Sequence, residues 1–147
     1  MSTTLLDVKG LRLSRGDREI LRGLDISVGR GELVALMGLS GSGKTTVLRA
    51  VAGLEPFSEG RIEVDGHALD RRAAHHAGLH RKVGMVFQFH CLWDHLTAAE
   101  NVWYAPVHVH DTSRAAALAR ARELLASLGV GHRETALPRE LSGGEAQ

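Results

Sequence analysis

The residues best equipped for chemistry are Gly38-Leu39-Ser40-Gly41-Ser42-Gly43-Lys44-Thr45, which fit the spacing G-x-x-x-x-G-K-[ST]. Glycine tolerates positive φ and puts no side chain in the way, so successive backbone N–H groups can turn inward around phosphate oxygens. Lys44 is a mobile point charge that would reach the β and γ phosphates of a nucleoside triphosphate. The Thr45 hydroxyl would ligate a Mg²⁺ ion bridging the same phosphates. The helix that such a loop opens adds partial positive charge at its N-terminus.

The flanking segments supply the elements this loop requires. Leu33 to Met37 is continuously apolar, the pattern of a strand covered on both faces in a parallel sheet. Thr45 to Ala52 places Val47, Leu48 and Val51 at helical spacing and stops at Gly53. Residues 4 to 13 and 24 to 28 alternate apolar with polar, as half-exposed antiparallel strands do, with a Gly16-Asp17-Arg18-Glu19 turn between them. Arg61 to Val64 alternates into an Asp65-Gly66 hairpin turn, and Val83 to Phe87 reads as another largely buried strand. Thr97 with Glu100 makes a capping box. Ser113 caps a helix whose Leu118, Ala121, Leu125 and Leu128 form one face before Gly129. Asp70 to Arg81, with His75, His76 and His80, carries no pattern strong enough to assign an element.

Composition bounds the functions these elements serve. The 147 residues, 44% hydrophobic and 24% charged, suit one small domain with a real core and exclude two large ones. Eighteen Lys and Arg against 17 acids leave a formal charge of +1, which gives no sign of a polyanion or nucleic-acid binder. The single Cys91 has no internal disulfide partner, and MSTTLLDVKG lacks the charged start and apolar run of a secretion signal, so a reducing cytoplasm is expected. No apolar stretch approaches the roughly 18 residues that cross a bilayer, so any membrane role is expected to be peripheral.

A second glycine motif, Leu141-Ser142-Gly143-Gly144-Glu145, follows Pro138. Taken alone, S-G-G-E is an ordinary helix N-cap. Taken with the phosphate loop, and with Gln88 closing an apolar strand between the two, it resembles the signature of ABC-type ATPases. The resemblance runs through LRGLDISVGRGELVALMGLSGSGKTTVLRAVAGLEPFSEGRIEVDG, VGMVFQ, HLTAAENV and LSGGEAQ in family order and spacing. AGLEPFSEG, the stretch from VGMVFQ to ENV, and Ala105-Pro106-Val107 are most similar to the ATP-binding subunits of polar amino-acid importers.

That resemblance implies an α/β fold: a P-loop NTPase (RecA-like) core with an N-terminal antiparallel β-subdomain over residues 1–90 and a helical subdomain over 91–147, incomplete at the C-terminus. It implies ATP and Mg²⁺ as ligands, with Thr46 added to the nucleotide-binding loop. ATP would be sandwiched in a homodimer, where Ser142 and the N–H groups of Gly143 and Gly144, within the signature Leu141 to Glu145, meet the γ-phosphate of the partner's nucleotide. Gln88 resembles the glutamine that senses Mg²⁺ and the attacking water; the other reading is a surface glutamine ending a strand. The region after it, including Trp93, would contact transmembrane permease subunits at the cytoplasmic face of the plasma membrane, with a substrate-binding protein involved indirectly and no nucleic acid.

Three departures qualify the resemblance. After LSGGEAQ the family continues with an apolar strand ending in Asp and Glu and, later, a switch histidine, whereas a search for four apolar residues followed by Asp-Glu finds none in these 147 residues. Hydrolysis needs an acid beside Mg²⁺ and a group that orients water. No general base is therefore assigned: Glu63 and Asp65 belong to a hairpin, Glu100 to a cap, and the chain alone is expected not to turn over ATP. The truncated sheet is expected to expose an apolar edge. Arg15 stands where the family usually places a ring that stacks on adenine, and it either stacks on the base or is solvated. Glu145 replaces a common glutamine and carries no assigned function.

Other groupings are structural. His75-His76 with His80, and His108 with His110, lack a completing cysteine or acid for structural zinc. Trp103 is expected in the core and Trp93 at the surface, and Arg114, Arg120 and Arg122 on the solvated face of an amphipathic helix. The leading function is the energy-coupling subunit of an importer. The alternatives are a non-catalytic nucleotide-binding fragment, or a soluble ABC ATPase of DNA repair or translation.

Overall fold

The computed structural model describes residues 4–69, 79 and 82–147. The chain divides into two compact units, Met1–Met85 and Val86–Gln147.

The first unit is organised by a four-stranded antiparallel sheet in the order β2-β1-β3-β4, with β1 Thr4–Arg15, β2 Arg18–Gly29, β3 Glu59–Val64 and β4 His67–Ala68. The alternation read from the sequence sets which face is inward. Val8, Leu11, Leu13 and Ile62 are almost wholly buried, together with Leu21 and Val64. The β1–β2 turn is confined to Gly16-Asp17, so both strands run longer than the alternation suggests. Asp65 (φ 50°) and Gly66 (φ 77°) both take the left-handed region, the two-residue hairpin whose twist matches its strands. Gly60 (φ +94°) is dictated by close approach: a Cβ there would lie 2.5 Å from the Gly10 carbonyl oxygen and 2.6 Å from that of Lys9. β1 crosses β3 at that point through a register shift between Lys9 and Arg12.

Helix α1, Lys44–Val51, lays Thr46, Val47 and Ala50 on this sheet. Leu48, expected inward, is 52% exposed. The buried stripe is set by Val47 and Ala50, three residues apart, and Leu48 falls beside it. Gly53, at φ 68°, ends the helix as expected.

The expected parallel strands are absent. Leu33 to Met37 takes no strand conformation; Leu33 is 97% and Met37 87% exposed, and only Leu36 packs partly against the core. Val83 to Phe87 is likewise not a strand, and Val86 is 82% exposed. A strand exists only beside a hydrogen-bonding neighbour. Among the described residues none pairs with either segment; Leu33, Val34, Met37 and Val86 are exposed, while Leu36 and Val83 pack partly against the core. Asp70 to Arg81, with its three histidines, lies outside the described residues apart from Leu79.

The second unit is helical: α2 Ala98–Val109, α3 Arg114–Ser127, short 3₁₀ turns at Gly131–Arg133 and Pro138–Glu140, and the four-residue α4 Gly143–Ala146. Thr97 and Glu100 form the expected reciprocal cap, and the Ser113 hydroxyl accepts from the Ala116 amide. Ala99, Trp103, Ala117, Ala121 and Leu125 make the core, with alanines letting the two helices approach. Leu118 is only partly buried and Leu128, 77% exposed, lies off the face assigned to it. Arg114 is exposed as expected, and its guanidinium sits 4.9 Å from the centre of the Trp103 ring. Arg120 and Arg122 pair at the surface with Glu123 and Glu134.

Candidate nucleotide-binding site

The glycine loop owes its shape to β2 and to its own lysine. Gly43 caps α1 in the left-handed region (φ 97°), and a Cβ there would lie 3.0 Å from Leu21 Cδ2 and 3.3 Å from Ile20 Cγ2. The first helical hydrogen bond runs from the Val47 amide to the Gly43 carbonyl at 2.9 Å, so the amides before it have no helical acceptor. Gly41, also left-handed at φ 79°, has nothing within 4 Å of its would-be Cβ. The Ser42 amide donates to the Leu39 carbonyl at 3.2 Å, closing a turn. The Lys44 ammonium crosses the loop and donates to the carbonyls of Gly38 (2.9 Å) and Leu39 (2.8 Å).

This loop walls one side of a cavity of about 880 Å³, a size that suits a nucleotide-scale ligand. Gly38, Gly41, Ser42, Gly43 and Lys44 line the cavity, as do Asp17, Arg18 and Arg22 of the β1–β2 hairpin. The donor set fits a triphosphate: backbone amides at a helix start with one ammonium among them. Mg²⁺ is commonly held by few protein groups plus phosphate oxygens. Thr45 is exposed, and its hydroxyl has no hydrogen-bond partner among the described residues, so it suits that part.

Not every residue assigned to the loop faces the cavity. Leu39 and Ser40 are exposed, and Thr46, 6% exposed, packs inward and offers only its backbone amide. The Arg15 side chain is 58% exposed and is held in an ion pair. Its Nε and terminal nitrogen donate to the two carboxylate oxygens of Glu55, at 2.8 Å each. Arg49 approaches the same carboxylate at 3.3 Å through an Nε that is buried and misaligned for a hydrogen bond. Asp17, Arg18 and Arg22 were not legible as site residues; the one sequence signal was the turn that carries them beside β2, whose Leu21 meets Gly43.

The acids are largely engaged. Asp65 is held below the usual aspartate range by a hydrogen bond from Lys82 and by Arg30. Glu63 pairs with Arg61, and Glu19, which also lines the cavity, is bound by Arg12 at 2.6 Å. The cap at Thr97 lowers the pKa of Glu100, chiefly through the Thr97 amide.

In the second unit, Ser142 caps α4 as its sequence predicts: its hydroxyl accepts from the Glu145 amide at 3.3 Å. Glu145 has a clear structural role that the sequence left unassigned. Its carboxylate accepts from the Ser142 amide at 2.7 Å and reaches Arg133 at 3.2 Å. The Ser142 amide is the main cause of its lowered pKa, ahead of Arg133 and His132. Among the described residues, Gly143 and Gly144 have nothing within 4 Å of a would-be Cβ, and none of these neighbours requires their smallness. Gln88 is exposed. Trp93, 48% exposed, meets Tyr104 edge-on at 5.1 Å, while Trp103 is buried.

The fold places a glycine loop of P-loop spacing at the start of α1, beside an antiparallel sheet and at the wall of a cavity. The ABC transporter family model matches residues 21–147, and the chain belongs to that family. It is 39% identical over 157 aligned positions to the arginine transport ATP-binding protein ArgV of Corynebacterium glutamicum, covering 100% of this chain and 62% of that protein. It is 37% identical over 143 positions to the glutamine transport ATP-binding protein GlnQ of Escherichia coli, covering 97% and 60%. Among solved structures, the dimeric ATP-binding cassette MJ0796, in a post-hydrolysis state with ADP and phosphate, superposes with a TM-score of 0.83 at 27% identity, covering 97% of this chain and 65% of that one. The chain thus spans about three fifths of the length of these curated relatives.

Proposed function

We propose that this chain binds Mg-ATP in the cavity beside Gly38 to Thr45, as the nucleotide-binding part of an ABC importer's ATP-binding subunit. The observation that carries the reading is Lys44, held among loop carbonyls at the wall of a nucleotide-sized cavity where the first amides of α1 have no helical acceptor. ATP supplies the triphosphate and Mg²⁺ neutralises it. Loop amides and Lys44 would orient the phosphates, and Thr45 would hold the metal.

The dimeric state of MJ0796 and the open space at Gly143 and Gly144 support a homodimer in which the signature Leu141 to Glu145 meets the partner's nucleotide. The names of ArgV and GlnQ support a polar amino-acid cargo; transmembrane permease partners, an indirect substrate-binding protein and a peripheral place at the cytoplasmic face of the membrane belong to the same reading. No helix among the described residues is long and apolar enough to cross a membrane. These 147 residues contain no apolar run ending in Asp-Glu, so binding proceeds without useful turnover by this chain alone.

Titration calorimetry of the 147-residue chain with Mg-ATP, beside a phosphate-release assay, tests this. Saturable heat lost in Lys44→Ala, without phosphate release, is expected. An absence of heat overturns the binding reading. Turnover abolished by Lys44→Ala overturns the non-catalytic reading.

A further inference from the structure

Residues 131–136 are fixed against both long helices of the second unit. A Cβ on Gly131 would lie 3.3 Å from the Ala126 Cα, so the turn rests closely on α3. The Arg122 guanidinium holds the Glu134 carboxylate through two nitrogens, at 2.8 and 3.4 Å. The carbonyls of Glu134 and Ala136 accept from the Ala99 and Ala98 amides at 3.0 and 2.9 Å, which satisfies donors that the first turn of α2 leaves without a helical acceptor. Residues 141–147, by contrast, bond mostly among themselves: Ser142 and Glu145 cap each other, and the Ala146 and Gln147 amides reach back to the Ser142 and Gly143 carbonyls. Among the hydrogen bonds and ion pairs of the described residues, only Arg133, 3.2 Å from Glu145, and His132, 3.7 Å from it, join this segment to the 131–136 turn. The His132 side chain is 67% exposed and pairs only when protonated, whereas that of Arg133 is 30% exposed and always charged. Arg133 also donates to the Glu140 carbonyl, just before the signature. One guanidinium thus spans an acceptor at each end of the segment 140–145, and its planar fork fixes their separation.

We infer that Arg133 is a positioning residue for the signature segment: by holding the Glu140 carbonyl and the Glu145 carboxylate together, it fixes Ser142, Gly143 and Gly144 on the helical unit. This rests on the homodimer reading above, in which that segment meets the partner's nucleotide. Arg133 does not line the cavity beside Lys44. Its loss therefore leaves the chain's own nucleotide contacts in place and loosens the surface offered to a partner, which separates nucleotide binding from nucleotide-driven association.

Three variants of the 147-residue chain test this: Arg133→Met, which keeps the aliphatic stem and removes the donors; Arg133→Lys, which keeps the charge; and Arg122→Met, which breaks only the neighbouring pair with Glu134. NMR hydrogen exchange at the Ser142 amide reads the order of the segment, calorimetry reads Mg-ATP affinity, and sedimentation in Mg-ATP reads the dimer dissociation constant. In Arg133→Met, Ser142 exchange and the dimer constant are both expected to rise about fivefold or more, while the Kd for Mg-ATP stays within about twofold and circular dichroism is unchanged. Arg133→Lys is expected to recover part of both losses, and Arg122→Met to leave both values as they are. Unchanged Ser142 exchange in Arg133→Met overturns the inference, as does equal loosening in Arg122→Met. A looser segment with an unchanged dimer constant, or a Kd for Mg-ATP that rises as much as the dimer constant, makes Arg133 merely structural and overturns it too. A dimer that forms in Mg-ATP and ignores Arg133 keeps the homodimer reading and sinks this inference alone. An unaltered chain that binds Mg-ATP yet stays monomeric overturns the homodimer reading and, with it, the role given to Arg133.

Discussion

Replacing Gly43 by alanine separates two costs that the structure assigns to one atom. The residue sits at φ 97°, where an L side chain costs about 1–2 kcal/mol. Its new Cβ would also press 3.0 Å from Leu21 Cδ2 and 3.3 Å from Ile20 Cγ2, an overpacking that costs typically about 1–3 kcal/mol when neighbours must shift. Gly41→Ala is the control: at φ 79° with nothing within 4 Å, it carries the conformational cost alone. Urea unfolding should therefore show Gly41→Ala destabilised by about 1–2 kcal/mol and Gly43→Ala by about 2–5 kcal/mol. If the loop escapes the clash by turning its backbone, part of that cost moves from folding to binding. Mg-ATP affinity then falls about tenfold for each 1.4 kcal/mol so moved. The sum of the two losses is the quantity to compare. If Gly43→Ala matches Gly41→Ala in both stability and affinity, β2 does not brace the loop and the reasoning fails.

Lys44→Ala removes a charge-assisted contact worth about 1.5–3 kcal/mol, so the Kd for Mg-ATP should rise at least about tenfold in calorimetry, while circular dichroism stays unchanged. Gly60→Ala drives a Cβ to within 2.6 Å of backbone atoms of Lys9 and Gly10, which cannot swing aside, so hydrogen exchange along β1 and β3 should accelerate markedly and unfolding should move to lower urea. Glu145 has a pKa below the usual glutamate range in the folded chain, so its contribution is present above the unfolded value and is lost as pH falls through the folded one. Acidification below about pH 4 should fray α4 in carboxyl-detected NMR, and Glu145→Gln should remove that pH dependence. Asp65 behaves in the same sense: its pairing with Lys82 and Arg30 is lost on protonation, and Asp65→Asn should flatten the acid limb of the first unit's stability curve.

Much of the site was legible because it is local. The glycine-lysine-threonine spacing, the Asp65-Gly66 hairpin, the Thr97–Glu100 and Ser142 caps and the stop at Gly53 each depend on φ values and hydrogen bonds within a few residues. A short stretch of sequence carries all the information these features need. Leu33 to Met37 and Val83 to Phe87 are different, because an apolar run becomes a strand only when another segment completes its ladder, and here none of the described residues does. The same dependence on distant neighbours decided that Arg15 grips Glu55, that Asp17 and Arg18 wall the cavity, and that Leu48 and Leu128 face water. Sequence alone determined a glycine-lysine-threonine loop at a helix start. Tertiary structure decided what surrounds it, since charge pairing and burial are settled between residues far apart in the chain.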